Sequence, residues 1–271
     1  KSTGKDNVLS NLVSMYKRFE SDEVPNAKVK IVLQGEEHCV TTNKEGHFVF
    51  DLNPTTPVLT EELYHTIPLQ LEDERQGFLD SKVIAEIMIP PVDAEYGIIS
   101  DIDDTVIRTG ATSLLAMGKT VLLSNAKTRL PYAGVTEFYK ALQLGRNGKR
   151  NNPFFYVSSS PWNLYDLLVD FMDHNEIPAG PLLLRDFGIQ SDSFVSGDYL
   201  SHKFKEISQV LDTYPHLPFV LVGDSGEQDP PIYYEVVKQY PGRILAIYIR
   251  DVAIPEKELT AKKVAESLKA F

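Results

Sequence analysis

Cysteine is almost absent from this chain: Cys39 is the only one among 271 residues. A disulfide within the chain is therefore excluded, and a cysteine-built metal site lacks its ligands. Long apolar runs are missing too, since no stretch approaches the ~20 residues that a membrane-spanning helix needs. Basic residues are outnumbered, with 27 Lys and Arg against 38 Asp and Glu, for a formal net charge of −11. That excludes a nucleic-acid binder held by a general basic surface, though not a local basic patch for an anionic substrate. Residues 1–10 do not read as a signal peptide. What remains, with 42% hydrophobic residues, is enough to bury one large core or two modest ones. The expected location is cytoplasmic.

Along the chain the spacing of apolar residues changes twice. Residues 7–20 carry Val8, Leu9, Leu12, Val13, Tyr16 and Phe19 at helical spacing, which predicts an amphipathic helix. It has too few cationic residues for a membrane-surface helix and is expected to pack on the strands next in the chain. From 27 to 52 the pattern alternates instead, with Val29, Ile31 and Leu33, then Phe48 and Phe50 after the turn-forming run at 43–46. Together with strands at 67–71 and 81–89, this predicts a small β-sandwich. Beyond Pro90 and Pro91, short continuous apolar blocks at 97–100, 154–157, 182–184, 219–222 and 244–249 alternate with helical patterns at 135–144, 161–175, 202–212, 232–239 and 256–270. That alternation predicts an α/β domain, a Rossmann-like doubly wound parallel sheet, whose sites lie beyond the carboxyl ends of the strands. The expected organisation is an N-terminal helix plus sandwich over residues 1–95 and the α/β domain over 96–271.

Chemistry-bearing residues come directly after those strand ends. After the block at 97–100, Asp101, Asp103, Asp104 and Thr105 crowd three carboxylates and a hydroxyl into five residues. Like charges so close repel and favour a cation between them, and the set suits Mg²⁺ with a substrate phosphate. It also leaves one carboxylate to attack and another to move a proton. After 154–157 comes Ser158-Ser159-Ser160-Pro161, where Ser160 can cap a helix begun by Pro161, and Ser158 and Ser159 are candidates to face an anion. Lys203, with Lys205 as fallback, sits in the predicted first helical turn, where cations are disfavoured unless they have another task. A phosphoryl-transfer site needs such a lysine. After 219–222, Gly223 lets the chain turn beside a ligand, Asp224 emerges at the strand end, and Asp229 starts the next helix.

Asp-x-Asp-x-Thr at 101–105, a serine after a second strand, a lysine, and Gly-Asp-x-x-x-x-Asp at 223–229 resemble the four motifs of the haloacid dehalogenase superfamily of phosphotransferases. The spellings at 101–107, 158–163, 202–203, 223–229 and Ile249-Arg250-Asp251-Val252 are similar to those of the actin-patch-type Mg²⁺-dependent phosphatidate phosphatases. The resemblance implies a phosphomonoesterase that converts phosphatidate to diacylglycerol and phosphate, working peripherally at a membrane surface. It implies that Asp101 is the nucleophile forming an aspartyl-phosphate, and that Asp103 protonates the leaving oxygen and then activates water. By the same likeness, Mg²⁺ is held by the Asp101 carboxylate, the Asp103 backbone carbonyl and Asp224, with Asp229 in support, while Ser158 and Lys203 grip phosphate oxygens. An insert at 108–152 is the implied lid, with Lys127 and Arg129 as candidates for a second substrate charge and the apolar residues at 114–123 as lid core or acyl contact. Asp104 stands where many members of the superfamily have glycine.

Other readings stay open at this point. The same site can serve a soluble phosphate ester or a phosphoprotein, and the N-terminal sandwich can act as a membrane- or partner-binding module. Two readings fail. Gly118-Lys119-Thr120 is no phosphate-binding loop, because position 113 is serine where that loop needs glycine. A phosphorylated receiver domain places its acidic pair and its phosphorylated aspartate after different strands, whereas here Asp101 and Asp103 share one. The six histidines show no metal spacing, although His202 can line the cleft beside Lys203.

Overall fold

The computed structural model describes residues 24–52, 56, 58, 60–73, 78–107, 131–185, 197–253 and 255–269. The predicted helix at 7–20 lies outside them, as do Lys127, Arg129 and the apolar run of the predicted lid. Between Asp93 and Ala94 the chain divides into two compact units.

The first unit holds an antiparallel sheet of four strands, β1 (Lys28–Leu33), β2 (Glu36–Thr41), β3 (Tyr64–Asp73) and β4 (Phe78–Met88), in the order β2-β1-β3-β4. Strands β1 and β2 are joined through Gln34 and Gly35, both at positive φ (52° and 84°), the two-residue reversal whose twist matches that of the flanking strands. Val29 and Ile31 point to the buried side of β1, as their alternation requires. The sandwich expected here is one sheet among the described residues. Residues 47–52, read as a strand from Phe48 and Phe50, join no ladder; their two rings meet edge-on instead, 5.9 Å apart.

The second unit is a parallel sheet of β5 (Gly97–Ser100), β6 (Phe154–Pro161), β7 (Leu182–Arg185), β8 (Phe219–Asp224) and β9 (Ile244–Arg250), in the order β7-β6-β5-β8-β9. Its helices are α1 (Val135–Leu144), α2 (Tyr165–His174), α3 (Gly197–Thr213), α4 (Asp229–Gln239) and α5 (Pro255–Leu268). Central β5 is buried along its whole length, and β8 likewise, as continuous apolar strands covered on both faces should be. The two faces are visible in β6: Phe154 and Tyr156 join a cluster with Val135 and Tyr139 of α1 and Phe171 of α2, while Phe155 meets Tyr214, just past α3. This arrangement agrees with the Rossmann-like reading. The sheet order reverses at β5, so the loops after β5, β6 and β8 converge at one carboxyl edge, where such sheets keep their sites.

Candidate active site

The loop after β5 is drawn tightly back on itself. Asp101 N–H still donates to Val222 O of β8 at 2.9 Å, as though the strand continued. Ile102 O then accepts from both Val106 N–H (2.9 Å) and Ile107 N–H (3.1 Å), and Asp104 N–H donates to Ile107 O (2.9 Å). The reversal passes through Asp104 at φ 53°, in the left-handed region where glycine is the unstrained choice and aspartate one of the tolerated exceptions. The turn leaves Asp101, Asp103 and Thr105 all buried, an arrangement that demands partners for each.

Asp101 finds two. Its Oδ1 accepts from Lys203 Nζ at 2.8 Å and its Oδ2 from the Thr105 hydroxyl at 3.2 Å. Lys203 is itself buried and also donates to Asp229 Oδ1 (2.8 Å) and Glu227 Oε2 (3.2 Å). Helix α3 begins at Gly197, so Lys203 stands in its second turn rather than its first; what holds it is this ring of carboxylates, not the helix end. Lys205 is exposed and takes no part. Asp229 spends its second oxygen, Oδ2, on the N–H of Asp224 at 3.0 Å. A Cβ at position 223 would collide with the Asp229 side chain, so Gly223 is there to admit that carboxylate beside β8 rather than to turn the chain.

Asp224 closes the group. Its Oδ1 accepts from the N–H groups of Gly226 (2.6 Å) and Glu227 (3.0 Å), while its Oδ2 is buried without a hydrogen-bond partner. One carboxylate oxygen from each of Asp101, Asp224 and Asp229 lies within 4.8 Å of the others. Glu227 adds a further negative charge, and Lys203 is the ammonium set against all four. Burial raises Asp101 well above the ordinary aspartate range despite Lys203, helped by Asp229, Glu227 and Asp103. Burial, with Asp229 and Glu227, pushes Asp224 up to about 7. Burial works against the Lys203 ammonium, but Asp101, Asp229 and Glu227 outweigh it and hold its proton firmly. An excess of buried oxygen charge with one orphaned carboxylate oxygen is what a hard divalent cation fits.

The Asp103 side chain looks elsewhere. Its Oδ2 accepts from the hydroxyls of Ser158 (3.1 Å) and Ser160 (2.9 Å), and Ser160 N–H donates to Ser158 Oγ (2.9 Å). Its carboxylate is thus outside the Asp101, Asp224 and Asp229 group. Ser160 does not cap a helix: β6 runs on to Pro161, a short 3₁₀ turn spans Trp162–Leu164, and α2 starts at Tyr165. Strand continuation carries Ser160 into the site and leaves Ser159 between the two, half-exposed. His202 is half-buried with Nδ1 3.7 Å from Glu206, facing its own helix more than the carboxylates.

Sequence reasoning missed Glu227, Ser160 and Arg250. Glu227 lies inside the 223–229 motif and could have been read as a third acid there. Ser160 was hidden by a competent capping explanation. Arg250, the last residue of β9, donates from Nε to Thr105 O at 3.1 Å, and only its place in the 249–252 spelling singled it out.

Residues 96–251 match the family described as the catalytic domain of the phosphatidate phosphatase APP1. The chain belongs to this family. Phosphatidate phosphatase APP1 of Saccharomyces cerevisiae is 32% identical over 243 residues, which cover 86% of this chain and 39% of that protein. An uncharacterized protein of Schizosaccharomyces pombe is 31% identical over 247 residues, covering 88% of this chain and 38% of its own length. The chain therefore spans about two fifths of the length of these relatives. Among solved structures, ferredoxin-NADP+ reductase from Plasmodium falciparum with 2'P-AMP aligns over 84% of both chains at 11% identity, with a TM-score of 0.24, too low to mark a shared fold. All the site residues from Asp101 to Arg250 fall within the stretch that matches the APP1 catalytic domain. No helix among the described residues is long and apolar enough to cross a membrane.

Proposed function

We propose that this chain is a Mg²⁺-dependent phosphomonoesterase that works through an aspartyl-phosphate on Asp101, with phosphatidate as its leading substrate. The observation that carries this reading is the buried trio of Asp101, Asp224 and Asp229 around Lys203, with Asp224 Oδ2 left unpartnered. Residues 96–271 supply the chemistry, and residues 1–95 are an accessory segment. Asp101, Asp224 and Asp229 would hold Mg²⁺, joined by the Asp103 backbone carbonyl. When bound, the ion neutralises charge on the phosphate oxygens and on the carboxylates that face them.

An oxygen of the Asp101 carboxylate attacks phosphorus, and the bond from phosphorus to the ester oxygen breaks. Asp103, in its carboxylic acid form, gives its proton to that oxygen, which leaves as the alcohol of diacylglycerol. Its carboxylate then takes a proton from water, whose oxygen attacks the phosphorus and breaks the bond to Asp101, releasing inorganic phosphate. Lys203 favours the ionised, oriented form of Asp101 before attack and neutralises phosphate charge. Thr105 steadies the other Asp101 oxygen. Ser158 and Ser159 offer hydroxyls to phosphate oxygens; Ser158 does so by rotating away from Asp103, which Ser160 continues to hold.

The test is phosphate release from phosphatidate in mixed micelles and from soluble monoesters, with and without Mg²⁺. Asp101→Asn is expected to lower Mg²⁺-dependent release by at least about 10⁴-fold while the protein melts as cooperatively as before. Turnover retained in that variant would overturn the mechanism. Release from soluble monoesters alone would keep the chemistry and remove phosphatidate.

A further inference from the structure

Arg250 belongs to neither the carboxylate cluster nor the serine pair, yet it reaches the nucleophile loop from the edge strand. It ends β9 level with Asp224, and Ser225 N–H donates to its backbone carbonyl at 2.8 Å, so its own backbone is pinned at the carboxyl edge of the sheet. From there Nε donates to the carbonyl of Thr105 at 3.1 Å, across 145 residues of sequence. The guanidinium lies over the ring of Tyr132, its carbon 4.1 Å from the ring centre. Tyr132 N–H in turn donates to Val106 O, the next carbonyl of the same loop, at 3.3 Å. Adjacent carbonyls of the turn are thus held from outside by two residues that stack on each other.

We infer that Arg250 is a positioning residue for phosphoryl transfer, acting through Thr105 to hold the nucleophile Asp101. Thr105 touches Asp101 through its side chain and Arg250 through its backbone. A shift of the Thr105 carbonyl therefore moves the hydroxyl that fixes Asp101 Oδ2. The loop's internal bonds fall on the carbonyls of Ile102 and Ile107, whereas the Thr105 carbonyl accepts from Arg250. Lysine cannot replace arginine here. Only a planar guanidinium can stack on Tyr132 and at the same time present an in-plane N–H to a fixed carbonyl. Arg250 does not itself touch the reacting atoms.

The inference rests on the phosphatase reading above, so its test carries one readout that does not need turnover. Arg250→Lys and Arg250→Ala are compared with wild type for kcat, KM and melting, and for hydrogen exchange of the amides at 101–107. Misplacement of a reacting group costs on the order of 10²-fold, and kcat is expected to fall by about that much in both variants while KM stays within about twofold. Exchange at 101–107 is expected to rise by about tenfold or more while the sheet amides keep their protection. Ethylguanidinium added to Arg250→Ala is expected to restore part of kcat. A rise in KM with kcat intact would overturn the inference by making Arg250 a substrate-binding group. Unchanged exchange in the loop would overturn it whatever the kinetics. If a variant melts too low to assay, Tyr132→Leu removes the stacking partner and must reproduce the same fall in kcat, or the inference fails. A wild type inactive on every phosphomonoester would defeat the proposed function and leave the exchange result to decide on the clamp.

Discussion

In the parallel sheet Ile98, Ile99 and Phe154 are fully buried, and so, within a few per cent, are Asp101, Asp103, Thr105, Lys203, Asp224 and Asp229. In the antiparallel sheet Val32, Val83 and Ile84 remain 54–66% exposed, and Lys30 and Glu37 pair at the surface at 3.6 Å. The first region hides charge and the second shows apolar side chains. Each is the less expected choice for its residue type, but the energies differ greatly. An exposed valine forgoes burial that would be worth about 1.5–3 kcal/mol and needs no partner. A buried carboxylate must be paired, hydrogen-bonded or protonated. Electrostatic effects should therefore be large at the edge formed by β5, β6 and β8, and near zero in the other sheet.

Four experiments put that contrast at risk. Lys203→Met removes the ammonium facing Asp101, Asp229 and Glu227 and is expected to cost about 3–5 kcal/mol at pH 8 in metal-free protein, measured by urea denaturation. The loss should shrink at pH 5, where the carboxylates take up protons instead.

The second experiment concerns Asp224. Its folded pKa of about 7 exceeds the unfolded value of about 3.9, so the folded protein carries an extra proton between those limits. Metal-free stability is therefore expected to fall as pH rises through that window, by on the order of 2 kcal/mol between pH 5 and 7. On the proposed function Mg²⁺ binds the ionised carboxylates, so its stabilising effect should grow with pH and flatten the slope. Urea midpoints across pH, in chelator and in Mg²⁺, check both signs; a chelated protein that gains stability towards pH 7 would contradict the assignment.

Third, Gly223→Ala sets a methyl group against Asp229 and is expected to lose about 1–2 kcal/mol together with most Mg²⁺-dependent activity. Val83→Thr, in the exposed sheet, should stay within about 0.5 kcal/mol by the same urea assay and leave phosphate release unchanged. A larger effect there would mean that the exposed face is not idle.

The two regions also differ in how well the sequence announces them. In the second unit each continuous apolar block is a strand, and the helix expected at 135–144 from Val135, Tyr139 and Leu142 is the one observed. Asp101, Asp224 and Asp229 are legible because strand ends in such sheets face one edge, which turns linear spacing into proximity. Ser160 is not, because a serine before a proline satisfies the rules of a helix start as well as those of a strand end, and only the β6–β7 pairing at Pro161 and Arg185 decides between them. Lys203 is legible for a reason that does not hold, since its helix starts earlier than its apolar pattern suggests. In the first unit alternation at 47–52 promises a strand, but alternation records which side chains share a face and not whether a neighbour offers hydrogen bonds. Arg250 acts through a contact 145 residues away that no local pattern encodes, whereas Glu227 lies within the 223–229 motif and was open to being read as an acid there.

The left-handed turn at Asp104 decides which residues can serve at that position. A loop that must send alternate side chains inward and still come back under its own strand has a single joint to do it with. Glycine makes that joint by having nothing in the way. Aspartate makes it while adding a buried carboxylate that accepts from the Tyr132 hydroxyl at 3.5 Å, so replacing it with glycine would keep the joint and cut that tie to Tyr132.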